Sequence, residues 1–114
     1  MNDKPNNTPI WDAEASNPET CAKLREALRQ VRDPEIGMDL IQLGLIRNVK
    51  MNGNETTINM ILTTPYCPYG PSMLESARVK AQEALNSPVR VEFGEEIWEM
   101  SMMEDGNSLD WGLM

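Results

Sequence analysis

Residues 45–63, LIRNVKMNGNETTINMILT, decide the fold of this chain. Leu45 to Met51 alternates imperfectly between apolar and polar residues, and Thr56 to Thr63 is rich in threonine and isoleucine. The segment 52–54, Asn-Gly-Asn, is a strong hairpin signal because both residue types tolerate the positive φ angles of tight turns. We therefore predict two antiparallel strands joined by a short turn.

A helix is predicted on each side of this hairpin. The stretch 17–32 begins with Asn-Pro-Glu, which is typical of an N-cap, a proline at the first helical position and an acidic first turn. Its apolar residues recur at three- and four-residue steps and include Cys21, which this pattern places in the core. A second helix is predicted to open at Pro71 and to end near Leu85, before Asn86-Ser87-Pro88.

The remaining chain supplies one or two further strands. Residues 89–93 alternate apolar and charged side chains, and residues 98–102 repeat the two-residue period less regularly, which predicts a short fourth strand. The order of helix, two strands, helix and one or two strands favours an α+β fold. We expect a small single layer of three to four mostly antiparallel strands, with two helices packed on one face.

The domain organisation follows from length and composition. The 114 residues are close to the commonest domain size, so one domain with one core is expected. Residues 1–16 are mostly polar and are predicted to form a flexible N-terminal arm, in which Trp11 either docks on the domain or meets a partner. The folded domain is predicted over residues 17–103, followed by a C-terminal tail over residues 104–114.

Charge excludes two classes of partner. The chain has 18 acidic and 10 basic residues, and its net charge is -8. Such a surface repels phosphate backbones and anionic membranes, so we expect no nucleic acid and no membrane among the partners. No stretch approaches the ~18 apolar residues of a membrane span, and the polar start lacks a signal-peptide pattern. A cytoplasmic location is expected.

The types of residue in the chain exclude several kinds of catalytic and metal-binding site. The sequence has no histidine, which excludes Ser/His and Cys/His catalytic pairs and histidine metal ligands. Its two cysteines, Cys21 and Cys67, fit a reducing compartment better than a disulfide framework.

Cys67 is the side chain best placed for thiolate chemistry. It lies in the loop between the second predicted strand and the second predicted helix. The unpaired N–H groups and the dipole of a helix N-terminus favour a thiolate, which is the form that attacks electrophiles and binds metals. Cysteine is also among the most buried residue types, so a space-filling role under the proline-rich turn is the alternative. The pattern alone leaves both interpretations open.

The segment Asp33-Pro34-Glu35 ends the first predicted helix. Proline disfavours helical geometry at the residue before it, and Asp33 is suited to cap a short turn. On these grounds alone, Asp33 is a capping residue and Glu35 a solvated turn position. The neighbouring sequence motifs point to a second role for the two carboxylates.

Three stretches together resemble the SufT-like domain family, which is linked to iron–sulfur cluster assembly. They are residues 28–37, LRQVRDPEIG; residues 39–46, DLIQLGLI; and residues 62–68, LTTPYCP. The resemblance covers about residues 20–94, with the stretches in order and at suitable separation. The family also includes PaaD-like proteins, whose cysteine-rich C-terminal tail this chain lacks.

The resemblance implies an accessory role in the maturation of iron–sulfur proteins. The reactive cysteine of the family falls on Cys67, and its acidic motif falls on Asp33 and Glu35. Thr63 and Thr64 match the polar positions beside that cysteine. The implied partners are iron–sulfur assembly proteins and client apoproteins.

The leading hypothesis is a non-enzymatic carrier or adaptor. Iron–sulfur clusters normally take four thiolates, and one chain offers Cys67 and, less favourably, Cys21. Cys67 would therefore supply one ligand to a transient iron–sulfur cluster that is shared across a homodimer or passed between proteins, or it would contact the client.

Two alternatives stay open. The first is a protein-interaction module in which Cys67 is structural, for example a PaaD-like accessory to a multicomponent oxygenase. The second is a thiol enzyme with Cys67 as nucleophile, which ranks last because no histidine is present to activate it.

Overall fold

The computed structural model describes residues 10–64 and 68–104, which form three helices, three strands and two 3-10 turns. The helices are α1 (Pro18–Leu28), α2 (Leu40–Leu43) and α3 (Gly70–Leu85). The strands are β1 (Ile46–Asn52), β2 (Glu55–Met60) and β3 (Val89–Phe93). The 3-10 turns are Asp12–Glu14 and Met100–Met102. The predicted α+β class is confirmed.

The three strands form one sheet in the order β1-β2-β3. β1 and β2 are the predicted antiparallel hairpin, with Lys50 opposite Thr57. β3 pairs with β2 in the parallel direction, and Arg90 lies on the other side of Thr57. The parallel pair arises because the 16-residue helix α3 carries the chain back along the sheet before β3 begins.

The fourth strand predicted at residues 98–102 is wrong. The ladder between β2 and β3 ends where the N–H of Gly94 donates to the carbonyl of Met60. The chain then leaves the sheet, and the Trp98 indole Nε1 donates to the carbonyl oxygen of Leu43 at 2.7 Å. Residues Met100–Met102 consequently form a 3-10 turn instead of a strand.

The core lies between the helices and one face of the sheet. Thr56, Ile58 and Met60 alternate as the buried face of β2. The buried helical residues facing this core are Cys21, Leu24, Ala27 and Leu28 from α1, and Gly70, Met73, Ala77 and Ala81 from α3. The core position predicted for Cys21 is confirmed, because its side chain is fully buried, and this burial raises the pKa of the thiol.

The opposite face of the sheet is polar. It carries a shallow depression of about 380 Å³ that lies over the hairpin and the start of the segment after β3. Its lining is Arg47, Asn48, Lys50, Thr57, Asn59, Glu92 and Glu96. The sheet therefore has one apolar side and one hydrated side, as expected for a two-layer fold.

Of the two alternatives given for Trp11, docking on the domain is the one observed, and residues Asp12–Glu14 form a 3-10 turn instead of a flexible arm. Residues 1–9 lie outside the described residues. Trp11 is only 1% exposed and belongs to the core. The guanidinium of Arg25 lies 4.0 Å from the centroid of its ring and also forms a bidentate ion pair with Glu14. Burial of the large indole makes this segment part of the domain.

The C-terminal boundary also moves. Glu104, predicted as the first residue of the tail, forms a bidentate ion pair with Arg29, with Nη2 to Oε2 at 2.8 Å. Its N–H donates to the carbonyl of Gln42, and the preceding Met103 is fully buried. The domain thus includes Glu104, and the rest of the predicted tail lies outside the described residues.

Helix α1 ends four residues earlier than predicted. Its last residue is Leu28, and the N–H groups of Gln30 and Val31 bond three residues back in a tightening turn. Arg32 then forms an isolated antiparallel bridge with Asp39.

Across the described ranges, no helix is both long and apolar enough to cross a membrane.

Candidate functional site

The predicted acidic turn is built around the buried carboxylate of Asp33. Its Oδ1 accepts hydrogen bonds from the N–H of Glu35 at 2.8 Å and of Ile36 at 3.2 Å. The turn closes through the N–H of Gly37, which donates to the carbonyl of Asp33. Asp33 is 1% exposed, so the predicted capping role is confirmed, whereas Glu35 is exposed to solvent as predicted.

Helix α3 begins beside this turn. Its N-cap is Tyr69, and the side chain of Tyr69 is 41% exposed. The following Gly70 packs tightly on the segment that follows β2, since a Cβ added there would lie 2.8 Å from Cδ1 of Leu62. The position of the first turn of α3 is therefore fixed against the end of the sheet.

The acidic turn and the first turns of α3 share a groove, here called the Pro34 groove. It has a volume of about 230 Å³. Its lining is Gln30, Val31, Arg32, Pro34, Tyr69, Ser72, Met73, Ser76 and Lys80. Two segments 35 residues apart in sequence, at Pro34 and Tyr69, thus meet at one surface.

Thr63 lies at a second groove, here called the Phe93 groove. Its volume is about 400 Å³, and residues 61–63 and 93–98 line it. Phe93 is 48% exposed and Ile97 is 81% exposed. Thr63 and Thr64 are both half-buried in a bend after β2, and only Thr63 is among the residues lining this groove.

Cys67, the central residue of the predicted site, lies outside the described residues together with Pro65 and Tyr66. In sequence this segment joins Thr64 to Pro68. The described flanks approach the two grooves: Thr63 faces the Phe93 groove and Tyr69 faces the Pro34 groove.

The described part of the chain contains no group of three or more cysteine, aspartate or glutamate residues that could hold a metal ion. Two backbone N–H groups already use the Oδ1 atom of Asp33. Cys21 is enclosed in the core. A complete set of cluster ligands is therefore not present among these residues.

Sequence reasoning missed the second buried aspartate, Asp39. Its Oδ1 accepts the N–H of Ile41 at 2.9 Å and of Gln42 at 2.8 Å, and the Gln42 side chain accepts the N–H of Asp39 in return. This is a capping box, and an acidic residue followed three positions later by glutamine is its sequence signal. The cations Arg32 and Lys80 at the Pro34 groove had no comparable signal.

The fold and the sequence together define a class: a small α+β domain in which an acidic turn between α1 and α2 shares a groove with the start of α3, and in which a cysteine lies in the sequence between β2 and α3. A solved domain of unknown function, DUF59, from Bacillus anthracis has this fold, with a TM-score of 0.74 and 23% identity over 83% of this chain and 93% of that one. Residues 22–93 match the family described as iron–sulfur cluster assembly protein, and this chain belongs to that family.

Curated relatives carry related names. An Fe-S protein maturation auxiliary factor of Porphyromonas gingivalis is 33% identical over 76% of this chain and 86% of its own length. The auxiliary factor SufT of Staphylococcus aureus is 35% identical over 46% of this chain and 61% of its own length. An iron–sulfur cluster carrier protein of Synechocystis is 37% identical over 57% of this chain, and the match spans 18% of that longer protein. The SufT-like resemblance is confirmed.

Proposed function

We propose that this chain is an accessory factor in the assembly of iron–sulfur clusters or in their transfer to client apoproteins, and that it acts as carrier or adaptor through Cys67. The observation that supports this most directly is the Pro34 groove, which joins the acidic turn to the start of the helix that follows Cys67. Both segments lie inside the family match over residues 22–93. The relatives named as maturation factors support the same role.

In this proposal the cluster is cargo. The positive end of the 16-residue helix α3 favours the thiolate form of Cys67, which binds iron. Asp33 holds the turn in shape with its carboxylate, and the carboxylates of Asp33 and Glu35 bind iron weakly or take up the protons that thiols lose as they deprotonate. Thr63 and Thr64 supply polar contacts on the strand side of the loop.

One chain supplies too few thiolates for a cluster, so the remaining ligands come from a second copy or from a partner protein. The partners we propose are iron–sulfur assembly proteins and client apoproteins. A reducing, cytoplasmic setting suits a functional free thiol.

Anaerobic reconstitution with iron and sulfide tests the carrier function. We expect visible absorption from a bound cluster and a native mass that includes it, and we expect Cys67→Ser to abolish both. Cys21→Ala is the matched control, because it removes the other thiol from the core and leaves the loop intact. A chain that takes up no cluster under conditions that load a known carrier would rule out direct carriage.

The turn can be tested separately from the thiol. Asp33→Asn keeps an oxygen that accepts the N–H groups of Glu35 and Ile36 but removes the charge. If the acidic turn serves cluster chemistry, this variant stays folded and loses maturation of a client enzyme. Equal loss of folding and maturation would instead assign Asp33 a structural role alone.

The alternative function is a protein-interaction module with a structural Cys67. The exposed Phe93 and Ile97 at the Phe93 groove favour it, since exposed apolar clusters mark contact surfaces. Under this alternative, Cys67→Ser leaves client capture and maturation intact, while Ile97→Asp weakens both. The two functions therefore predict opposite results for the Cys67→Ser variant.

A further inference from the structure

Strand β3 presents an open edge. The sheet order places β1 and β3 at the two edges, and near β1 the N–H of Asp12 donates to Oδ1 of Asn48 at 2.9 Å. Within the described ranges, no strand pairs with the outer side of β3. Such an edge is a template for another strand.

The parallel ladder with β2 fixes which groups of β3 face outward. The N–H of Thr56 donates to the carbonyl of Pro88, and the N–H of Gly94 donates to the carbonyl of Met60. Because alternate residues bond to the same neighbour in a parallel ladder, Arg90 and Glu92 direct their backbone groups toward β2. Residues 89, 91 and 93 therefore direct theirs to the open edge.

One of these outward groups is already used. The N–H of Val89 donates to Oε1 of Gln82 at 3.2 Å. The N–H groups of Val91 and Phe93 make no hydrogen bond within the described part of the chain. The available stretch of edge is thus centred on Val91.

We propose that this edge binds a second copy of the same chain, so that the two β3 strands pair antiparallel about a two-fold axis at Val91. Val91 then lies opposite Val91 of the partner subunit, and Phe93 lies opposite Val89 of the partner subunit. All these residues direct their backbone groups outward, so each facing pair is of the hydrogen-bonded type. The N–H groups of Val91 and Phe93 in the two copies form four hydrogen bonds, while the N–H of Val89 is already bonded to Gln82.

The charges on β3 select this register. Arg90 and Glu92 lie on the same face, with side chains 59% and 51% exposed. The two-fold axis at Val91 places Arg90 opposite Glu92 of the partner subunit, and the reverse, in the closely spaced type of cross-strand pair. Moving the axis by one residue would place two arginines or two glutamates opposite each other, which is unfavourable. The strand is therefore complementary to itself in one register.

This interface is independent of the proposed function, because it contains neither Cys67 nor the acidic turn. Metal-free chain with chelator present should dimerise as well as reconstituted chain. Cys67→Ser should leave the dimer unchanged.

Charge reversal on the edge tests the register. Sedimentation velocity over a concentration series of the full chain should show a reversible monomer–dimer equilibrium. Arg90→Glu and Glu92→Arg should each raise the dimer dissociation constant at least about tenfold, and the double variant should restore it. Lys50→Glu is the matched control, because Lys50 occupies the same rung of the sheet on β1 and makes the same change of charge.

Blocking the edge gives a second test. Phe93→Pro removes an outward N–H but keeps the bonds of Glu92 and Gly94 to β2, and proline is tolerated at such edge positions. It should abolish the dimer while circular dichroism stays native. Amide exchange of Val91 and Phe93 should slow with rising protein concentration.

Three results would overturn the proposal: a monomer at every concentration, a dimer indifferent to all three edge variants, or protection of both amides that does not depend on concentration. The last would mean that a segment of the same chain covers the edge.

Discussion

The turn Asp33–Gly37 and the segment Asp39–Gly44 use the same local design, and they differ in what covers them. Each begins with a buried aspartate whose Oδ1 accepts two backbone N–H groups, and each ends in a glycine of positive φ, 84° for Gly37 and 75° for Gly44. Above Gly44 lies the backbone of Met102, whereas among the described residues no atom beyond the chain neighbours lies within 4 Å of a Cβ added at Gly37.

The difference separates a structural element from a surface available to partners. The Asp39 segment forms α2, and the chain from Trp98 to Glu104 packs on it through Met103 and two backbone-directed contacts. The Asp33 turn leaves Glu35 exposed and Ile36 37% exposed. Similar local sequence patterns can thus serve packing in one place and recognition in another, and tertiary cover decides which.

The largest expected difference in stability is between alanine substitutions at the two glycines. Gly44→Ala should destabilise the chain by about 3 kcal/mol, because a Cβ adds strain at positive φ and would lie 2.0 Å from the carbonyl oxygen of Met102. Gly37→Ala should cost about 1 kcal/mol, since it meets the conformational penalty alone. Urea unfolding followed by circular dichroism measures both. Equal losses would show that the cover over α2 adds nothing.

Removing the aspartate should also destabilise the chain more at Asp39 than at Asp33. Asp39→Ala should cost about 2 kcal/mol, because it removes the capping box of α2 and leaves Arg29, whose Nη1 lies 3.9 Å from Oδ1, without this neighbour. Asp33→Ala should cost about 1 kcal/mol, because solvent reaches the freed N–H groups of Glu35 and Ile36. Chemical unfolding of the two variants side by side gives the comparison, and a reversed order would contradict it.

Weakening the packing of residues 98–104 on α2 should have a smaller effect on stability. Glu104→Gln removes the charge of the bidentate pair with Arg29, and we expect a loss of about 1 kcal/mol at low salt. The pair raises the pKa of Arg29, so the cation is present at every working pH. Glu95→Gln is the matched control, because Glu95 is exposed in the same segment. Thermal unfolding at low and high salt should show a gap that narrows with salt.

Local sequence patterns predicted the helices and strands better than they predicted the tertiary contacts around them. The hairpin, α3 and β3 follow directly from turn residues and periodicity, and their observed ends lie within a few residues of the predicted ones. The cap at Asp33 is also local, because its oxygen bonds residues two and three positions ahead. Such contacts depend on few neighbours, so sequence alone carries the signal.

The missed features all depend on contacts distant in sequence. Trp11 sits in an otherwise polar segment, and only the approach of Arg25 and the core shows that it is buried. Glu104 meets Arg29 across 75 positions. The Pro34 groove joins Pro34 to Tyr69, and no periodicity in either segment indicates that meeting. For the same reason the partners of Cys67 stay a prediction.

The smallest expected effect on stability concerns the ion pair between Glu14 and Arg25, which lies outside both turns and is lost in acid. The hydrogen bond from Arg25 holds the pKa of Glu14 below its ordinary value of 4.5, and the pair lies under the packing of Trp11. Because the folded-state pKa is the lower one, the pair's contribution is complete above the unfolded-state pKa and is lost as pH falls through the folded-state value. We expect about 0.5 kcal/mol from this partly buried pair.

Glu14→Gln should therefore lower stability near neutral pH and reduce the fall of stability below about pH 4.5, with Glu19→Gln in the exposed first turn of α1 as the control. Urea unfolding followed by Trp fluorescence at several pH values gives both slopes. A variant as acid-sensitive as the parent chain would show that Trp11 is held by packing alone. The N-terminal segment would then resemble the covered Asp39 segment, whose stability comes from buried contacts, more than a surface fixed by charge.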